Sequence, residues 1–538
     1  MSVVANRPVA VHPGRSGADR VRDLIAAMAH DPFGQTSPSV YETARLLALA
    51  PWLPGHDVRI GWLLDRQRAD GGWGGPQGYA LVPSLSAVEA LLTALSRGDR
   101  GPATTADLAG AAERGLRFVA AWLGDPAAPA LPDLPATDLI VPALIESIDQ
   151  RLNGPEGPPA GLAAWRDRPR LPLPAGLDPG RLERVRGLLA AGGPVPEKLA
   201  HALEVGGGWA RRAAGVSPAG PGTIGASPAA TAAWLGGPGE SGGPVDYLRE
   251  IGRAGPVPCT SPIAVFERAW VLSILARAGV PMAVPAAVVA ELRAAVGPTG
   301  AATGPGLPAD ADTTSVTLYA LARLGRPVDP ASLWSYDTGV HFCTWPGEDG
   351  ASITTNAHVL EALGHHVTLA GPAAEPRVTA AVDRVTAWLV AGQEADGRWT
   401  DRWHASPHYA TYCAVLALAD HARGGAARDA VGRAVDWLLS AQRPDGSWGR
   451  WTGTAEETAY AVLALLGAGR SADAEVAAAV ARGRHRLSEL DDPGDDGPPL
   501  WHDKDLYRPG LIVRAAVRAA LWGGDPAIRA RPVSSDRS

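Results

Sequence analysis

A twelve-residue pattern that occurs three times limits this chain more than any other feature. Trp62 to Trp73, Trp388 to Trp399 and Trp437 to Trp448 share Trp-Leu-apolar-x-x-Gln-x-x-Asp-Gly-x-Trp, and the last two copies start 49 residues apart. Recurrence of this kind marks a repeat architecture in which each unit buries its face on the next. Each copy reads as a helix C-terminus closed by a turn. Trp and Leu pack inward, and Asp-Gly supplies a left-handed corner. Gln reaches exposed backbone ends, and the last Trp covers the turn. These residues are structural and carry no chemistry. Between copies the pattern runs helix, Gly/Pro-rich loop, helix, with no sustained two-residue alternation. The expected fold is all-α, with paired helices closing into barrels.

At 538 residues there is room for two or three domains. A net charge of −7 offers no basic footprint for nucleic acid. Lys198 and Lys504 are the only lysines among 49 basic residues, which draws attention to both. Cys259, Cys343 and Cys413 are scattered without metal-ligand spacing, as expected of thiols in a reducing compartment. Met1 to Arg20 is broken by Arg, Pro and Gly and reads as neither signal peptide nor anchor. No run approaches the roughly 18 apolar residues of a spanning helix. A cytoplasmic protein with no membrane span is expected, and its oligomeric state is left open.

In chain order, a helix pattern starts near Val21, and the loop Ser37 to Ala44 feeds a second helix. The stretch from Leu152 to Gly255 is Gly- and Pro-rich and weakly periodic. Within it Pro196-Glu197-Lys198 opens a helix-like run to Glu204. Composition shifts at Gly255-Pro256, ahead of the patterned helix Val265 to Trp270, which places a domain boundary there. The tail from Arg529 to Ser538 is polar and expected to fray.

The chemistry is sought in Ala309-Asp310-Ala311-Asp312-Thr313-Thr314-Ser315, which follows a breaker-rich loop and leads into the apolar run Val316 to Leu324. Taken alone, two carboxylates there are more simply helix-start residues in contact with the macrodipole. The surrounding blocks change that weighting. Together with the Trp repeats, the acidic motif resembles the class II terpene cyclases, which start ring closure by protonating an alkene. The likeness is to bacterial diterpene and sesquiterpene members that keep the diphosphate. It extends over roughly residues 36 to 522 and includes Ser37 to Ala44, Thr355-Asn356-Ala357-His358, Asp401-Arg402-Trp403-His404 and Trp501 to Arg508.

The resemblance implies two α/α barrels with a cavity between them. Residues 1–35 would pack on the β domain, 36–255 would form the γ domain, and 256–538 the β domain. By the family pattern Asp312 donates the proton and Asp310 helps keep it protonated. Thr313 stands where the commoner motif has a third Asp, and Asn356 would orient the acid. An alkene is a very weak base, so the donor must be a neutral carboxylic acid in a dry pocket. Burial and a second carboxylate favour that form, whereas a helix N-terminus opposes it. Trp334, Tyr336, Trp345, His358 and Tyr409 are candidate liners that would stabilise cations. Lys504, Arg402, Tyr507 and Arg508 resemble the blocks that grip the diphosphate. Asp138, with Asp133 as a weaker candidate, would serve a Mg²⁺ ion. His201 matches one half of a base dyad of ent-copalyl diphosphate synthases. Its Asn partner falls at Cys259, so a product other than ent-copalyl diphosphate is expected.

Geranylgeranyl diphosphate is the preferred substrate, giving a labdane- or halimadane-type bicyclic diphosphate. The alternatives are farnesyl diphosphate giving a drimane-type product, a non-catalytic barrel that binds prenyl groups, and a zinc-dependent protein prenyltransferase subunit.

Overall fold

The computed structural model describes residues 16–99, 103–166, 168–239, 241–490 and 497–522. Met1 to Arg15 and the tail from Arg529 lie outside the described residues. Helices dominate, and among the described residues the named strands form two ladders, Ala301–Ala302 with Ala309–Asp310 and Trp501–His502 with Leu506–Tyr507.

The C-terminal body is an α/α barrel. Helices Ala264–Arg277, Ala311–Arg323, Ile353–Ala370, Pro407–His421, Ala455–Gly467 and Gly510–Trp522 touch in sequence, and the last returns to the first. Helices Ala286–Ala295, Pro376–Ala391, Gly425–Ala441 and Ala474–Ser488 form the outer layer. The N-terminal helix Gly17–His30 joins this body by packing on Gly510–Trp522. Its Val21, Leu24, Ile25 and Met28 recur at helical spacing and are buried, and Ser16 caps its start by accepting from Asp19 N–H.

The second body closes through Val40–Leu49, Leu81–Arg97, Thr137–Asn153, the 3₁₀ segment Leu203–Ala210 and Pro228–Leu235, which returns to Val40–Leu49. Its apolar clusters are separate from that of the C-terminal barrel. Two expectations need correction here. The run opened by Pro196 is not one helix: Glu197–Ala200 stops after one turn, and a 3₁₀ segment resumes at Leu203. Gly206, Gly207 and Gly208 give that segment little helix propensity, and Gly207 leaves helical geometry at φ 56°. The stretch Gln77–Arg97 is also long and apolar enough to cross a membrane by composition, but it is a core helix with 94% of its apolar window buried.

The three Trp turns share one geometry. Indole N–H groups of Trp73, Trp399 and Trp448 donate to the carbonyls of Leu63, Leu389 and Leu438 at 2.7, 2.9 and 2.7 Å. Gln67, Gln393 and Gln442 each donate to the turn glycine's carbonyl and to a carbonyl of the next outer helix, Ala111, Ala430 and Ala479. Gly71, Gly397 and Gly446 have φ of 89°, 98° and 83°, and a Cβ on any of them would strike the carbonyl oxygen of Arg114, Arg433 or Arg482 within 3 Å. Only glycine meets both demands. Each repeat therefore staples one outer helix to the next.

Candidate active site

The acid motif sits where the short ribbon Ala301–Ala302/Ala309–Asp310 runs into the inner helix Ala311–Arg323. Asp310 is the N-cap, in extended geometry, and its Oδ1 accepts Thr313 N–H at 2.6 Å. Thr314 ties the ribbon to the helix by donating to Asp310 O at 2.5 Å and accepting Ala301 N–H at 2.8 Å. The Thr313 hydroxyl pairs with Thr303 at 3.1 Å. Asp310 is 3% exposed. Burial pushes its carboxyl up to about 7 against the Thr313 N–H bond, with the neighbouring Asp312 adding to the rise. At this site burial outweighs the helix terminus.

Asp312, in the first turn of the same helix, meets His358, whose Nδ1 lies 2.6 Å from Asp312 Oδ1. Burial alone would lower the imidazole's affinity for a proton, but the Asp312 carboxylate holds it well above the ordinary value. His358 therefore does more than line the site. It is the partner of the acid, and only the tertiary fold reveals this across 46 residues of sequence.

Asn356 does not touch the acid. Its Oδ1 accepts Phe342 N–H at 2.9 Å, and its Nδ2 donates to Phe342 O at 3.0 Å and Ser352 O at 2.8 Å. Both amide donors are spent on the carbonyls of Phe342 and Ser352, and the side chain that meets Asp312 is His358, two residues on.

Aromatic rings surround this pair. The Trp270 ring is 5.4 Å edge-on from His358, and its indole N–H donates to Tyr409 OH at 2.8 Å. Trp270 meets Phe266, Phe266 meets Trp501, and Tyr409 meets Trp501 and Tyr460, at centroid distances of 4.3 to 5.5 Å. Tyr336 is buried and donates to Thr299 O at 2.6 Å. Trp345 stands edge-on to Trp403 at 5.2 Å, with the Lys198 ammonium 5.0 Å above its face. Trp334 instead stacks under the Arg377 guanidinium at 4.0 Å.

The expected diphosphate grip does not assemble. Lys504 is fully buried, and its ammonium donates to Glu42 Oε1, Glu204 Oε1 and Ser227 Oγ, all at 2.8 Å. An ammonium has three donors, so none remains for a ligand. Arg402 donates to Asp133 Oδ2 at 2.6 Å and to the Asp349 carbonyl, joining the two barrels. Arg508 is buried and its guanidinium donates to the Gly497 carbonyl. Tyr507 is half-buried and sits in the ladder opposite Trp501.

His201 also differs from expectation. Its Nδ1 lies 2.6 Å from Gly225 O and its Nε2 2.8 Å from Asp503 Oδ1. A carbonyl and a carboxylate are both acceptors, so both ring nitrogens carry protons. Burial would discharge the ring, but Asp503 raises its affinity for a proton above the ordinary value. An imidazolium has no lone pair with which to take a proton from a cation. Cys259, at the missing dyad position, is buried, with its thiol 3.6 Å from Asp505 O.

For Mg²⁺, Asp138 faces Arg181 at 2.8 Å and Asp133 faces Arg402 at 2.6 Å. Among the described residues no three His, Cys, Asp or Glu side chains converge as a metal-ligand group. Two carboxylates each spent on an arginine do not fit the ion.

Known proteins place this geometry. A family model described as squalene-hopene cyclase C-terminal domain matches residues 348–510. An ent-copalyl diphosphate synthase of Streptomyces sp. (strain KO-3988) is 44% identical over 509 residues, covering 93% of this chain and 94% of its own. A labda-7,13-dienyl diphosphate synthase of Streptomyces clavuligerus is 41% identical, covering 94% and 93%. The solved structure of an ent-copalyl diphosphate synthase from Streptomyces platensis superposes with a TM-score of 0.88 at 44% identity, covering 94% of this chain and 98% of that one. Barrel fold, the acid pair with its buried Asp310 and these relatives together define a class II terpene cyclase. The chain belongs to the bacterial class II diterpene cyclases, the family of the copalyl diphosphate synthases. It is an enzyme of protonation-initiated cyclisation that retains the diphosphate, and the non-catalytic and protein-prenyltransferase alternatives fall away.

Proposed function

We propose that the chain cyclises geranylgeranyl diphosphate to a bicyclic diterpene diphosphate, with Asp312 as proton donor. The observation that carries this reading is the Asp312–His358 contact at 2.6 Å beside a buried Asp310 whose carboxyl is pushed up to about 7. With Nδ1–H held on Asp312 Oδ1, the other carboxyl oxygen presents the proton to the alkene. The carboxylate left behind keeps the Nδ1–H hydrogen bond, which stabilises the charge that develops on it. The aromatic rings of Trp270, Tyr409 and Trp501 supply faces that stabilise a carbocation without capturing it. With His201 committed to two acceptors and cysteine at 259, deprotonation follows a route that does not give ent-copalyl diphosphate. Separate incubations with geranylgeranyl and farnesyl diphosphate, dephosphorylated and resolved by chiral chromatography with mass spectrometry, test this. A bicyclic C20 alcohol other than ent-copalol is expected. Preference for the C15 substrate would refute the chain length, and ent-copalol as main product would refute the assignment of the final step.

For the diphosphate, Lys198 replaces Lys504 as the candidate. Its ammonium lies over Trp345, beside the residues that join the barrels, and no salt bridge to a carboxylate engages it among the described residues. Partial burial lowers its pKa from the ordinary lysine value, and a bound diphosphate would restore it. Lys198→Ala should raise KM for the prenyl diphosphate about tenfold while changing kcat less than about threefold. An unchanged KM in steady-state assays would remove Lys198 from the site.

A further inference from the structure

The mouth of the C-terminal barrel holds another buried carboxylate that the reaction as described does not use. The six inner helices alternate with segments that carry the chain back, so their N-termini share one rim. Asp312 stands in the first turn of Ala311–Arg323, and Glu456 in the first turn of Ala455–Gly467. These helices are the second and the fifth of six around the ring, so the two carboxyls stand on opposite sides of the mouth.

Glu456 is 2% exposed. Its Oε1 accepts the Trp501 indole N–H at 2.7 Å and lies 3.2 Å from His404 Nε2. A ring nitrogen that faces a carboxylate carries a proton, so His404 donates there and offers no lone pair. Among the described residues no lysine or arginine pairs with Glu456, and no donor meets its Oε2. Its neighbour Glu457 is used at both oxygens. There Oε1 accepts Ser406 O–H and Arg450 N–H, and Oε2 accepts Thr454 O–H at 2.8 Å. A buried carboxylate oxygen left without a donor calls for another use. The surroundings of Glu456 are those of the reaction: the His404 ring lies 4.7 Å from Tyr409 and 5.2 Å from Trp501. Tyr507 pairs with Trp501 in the ladder. Burial pushes its phenol well above the ordinary value, and Asp503, Cys259, Glu456 and Asp312 add to the rise. One phenol thus lies within reach of both carboxylates.

We propose that Glu456 is the base that ends the reaction, its Oε2 taking a proton from the carbon next to the final ring cation. The proposal rests on Asp312 being the donor. Protonation on one side of the mouth and deprotonation on the other suit a substrate that folds into two fused rings between them. The C–H bond beside the cation breaks, its electron pair becomes the new C=C bond, and the proton passes to Oε2. Water takes it from there when the product leaves. One proton enters at Asp312 and one leaves at Glu456, so the product is an isomer of the substrate. The two N–H groups on Oε1 hold the carboxylate in place and leave Oε2 as the basic oxygen. Glu456 thereby fills the role that His201, committed to two acceptors, cannot take up.

The test reads which product forms. Geranylgeranyl diphosphate is turned over by enzyme in excess, and the dephosphorylated products are resolved by mass spectrometry. Glu456→Gln keeps an oxygen for the Trp501 and His404 donors but has no basic carboxylate. It should still close the rings, with the share of the wild-type alkene falling about tenfold or more. A bicyclic alcohol from water capture, or an alkene with a shifted double bond, should take its place. Glu456→Asp keeps the base and draws it back by one methylene, so it should show the same shift to a smaller degree. Wild-type proportions in either variant overturn the proposal, and so does a larger shift for Asp than for Gln. A wild-type product already hydroxylated by water overturns it as well, as does loss of ring formation in Glu456→Gln. Asp312→Asn in the same assay tests the underlying reading by itself. If that variant still forms rings, the donor assignment fails, whatever the Glu456 variants do.

Discussion

Asparagine at position 312 should leave substrate bound and uncyclised, with ring formation down about 10³-fold or more. An isolated alkene accepts a proton only from a strong acid, and a carboxamide offers none. The change is otherwise conservative. The amide keeps an oxygen for His358 Nδ1, which lies 2.6 Å from Asp312 Oδ1, and the N-cap is made by Asp310 and is left intact. Loss of activity would therefore report the proton and not the fold. Calorimetric binding of the prenyl diphosphate should stay within about threefold of wild type. Single-turnover assays read by mass spectrometry should show substrate returned unchanged. Rings formed at the wild-type rate would end the assignment of the acid.

Lys504→Met should cost the most stability, about 3–5 kcal/mol, because it strands two carboxylates out of water. Lys504 is fully buried between Glu42 and Glu204, on segments 462 and 300 residues away in sequence. Glu42 also accepts Ser227 Oγ–H and Ala229 N–H, and Glu204 accepts Tyr41 O–H. These neutral donors cannot replace an ammonium. The cluster continues through Asp503 to His201 and Thr260. Asp505 adjoins it and caps the helix that starts at Val40, with burial pushing its own carboxyl up to about 6. One hairpin thus fastens both barrels. Urea unfolding should show the loss, and Lys504→Met combined with Glu42→Gln and Glu204→Gln should recover part of it by removing the stranded charges. If Lys504→Met unfolds at the wild-type urea concentration, the ammonium is not what secures the hairpin.

The Trp repeats were legible as helix-closing turns because turn glycine, Gln and Trp lie within twelve residues of one another. The Gln bond to the next outer helix, 37 or 44 residues on, came only from the fold. The acid was legible for the same reason: Asp310 and Asp312 are neighbours at a helix start, and capping chemistry is local. Position in a family block was a weaker guide. Asn356 and His358 occupy one block on one helix, yet the first clamps a loop and the second holds the acid. Two residues of helix turn a side chain by more than half a circle, and a block match does not say which way it faces.

Read alone, the amino-acid sequence determined the all-α repeat fold, the buried turn residues and the acidic helix start, since each depends on residues close along the chain. The tertiary structure alone decided which charges are available. Lys504, Arg402, Asp133, Asp138 and His201 each carry the right chemistry for a ligand or a proton, and each finds its partner in space first. A charge removed from water must be matched by whatever the fold brings beside it, so its role follows from neighbours on other segments, in all but the Asp138–Arg181 pair hundreds of residues away.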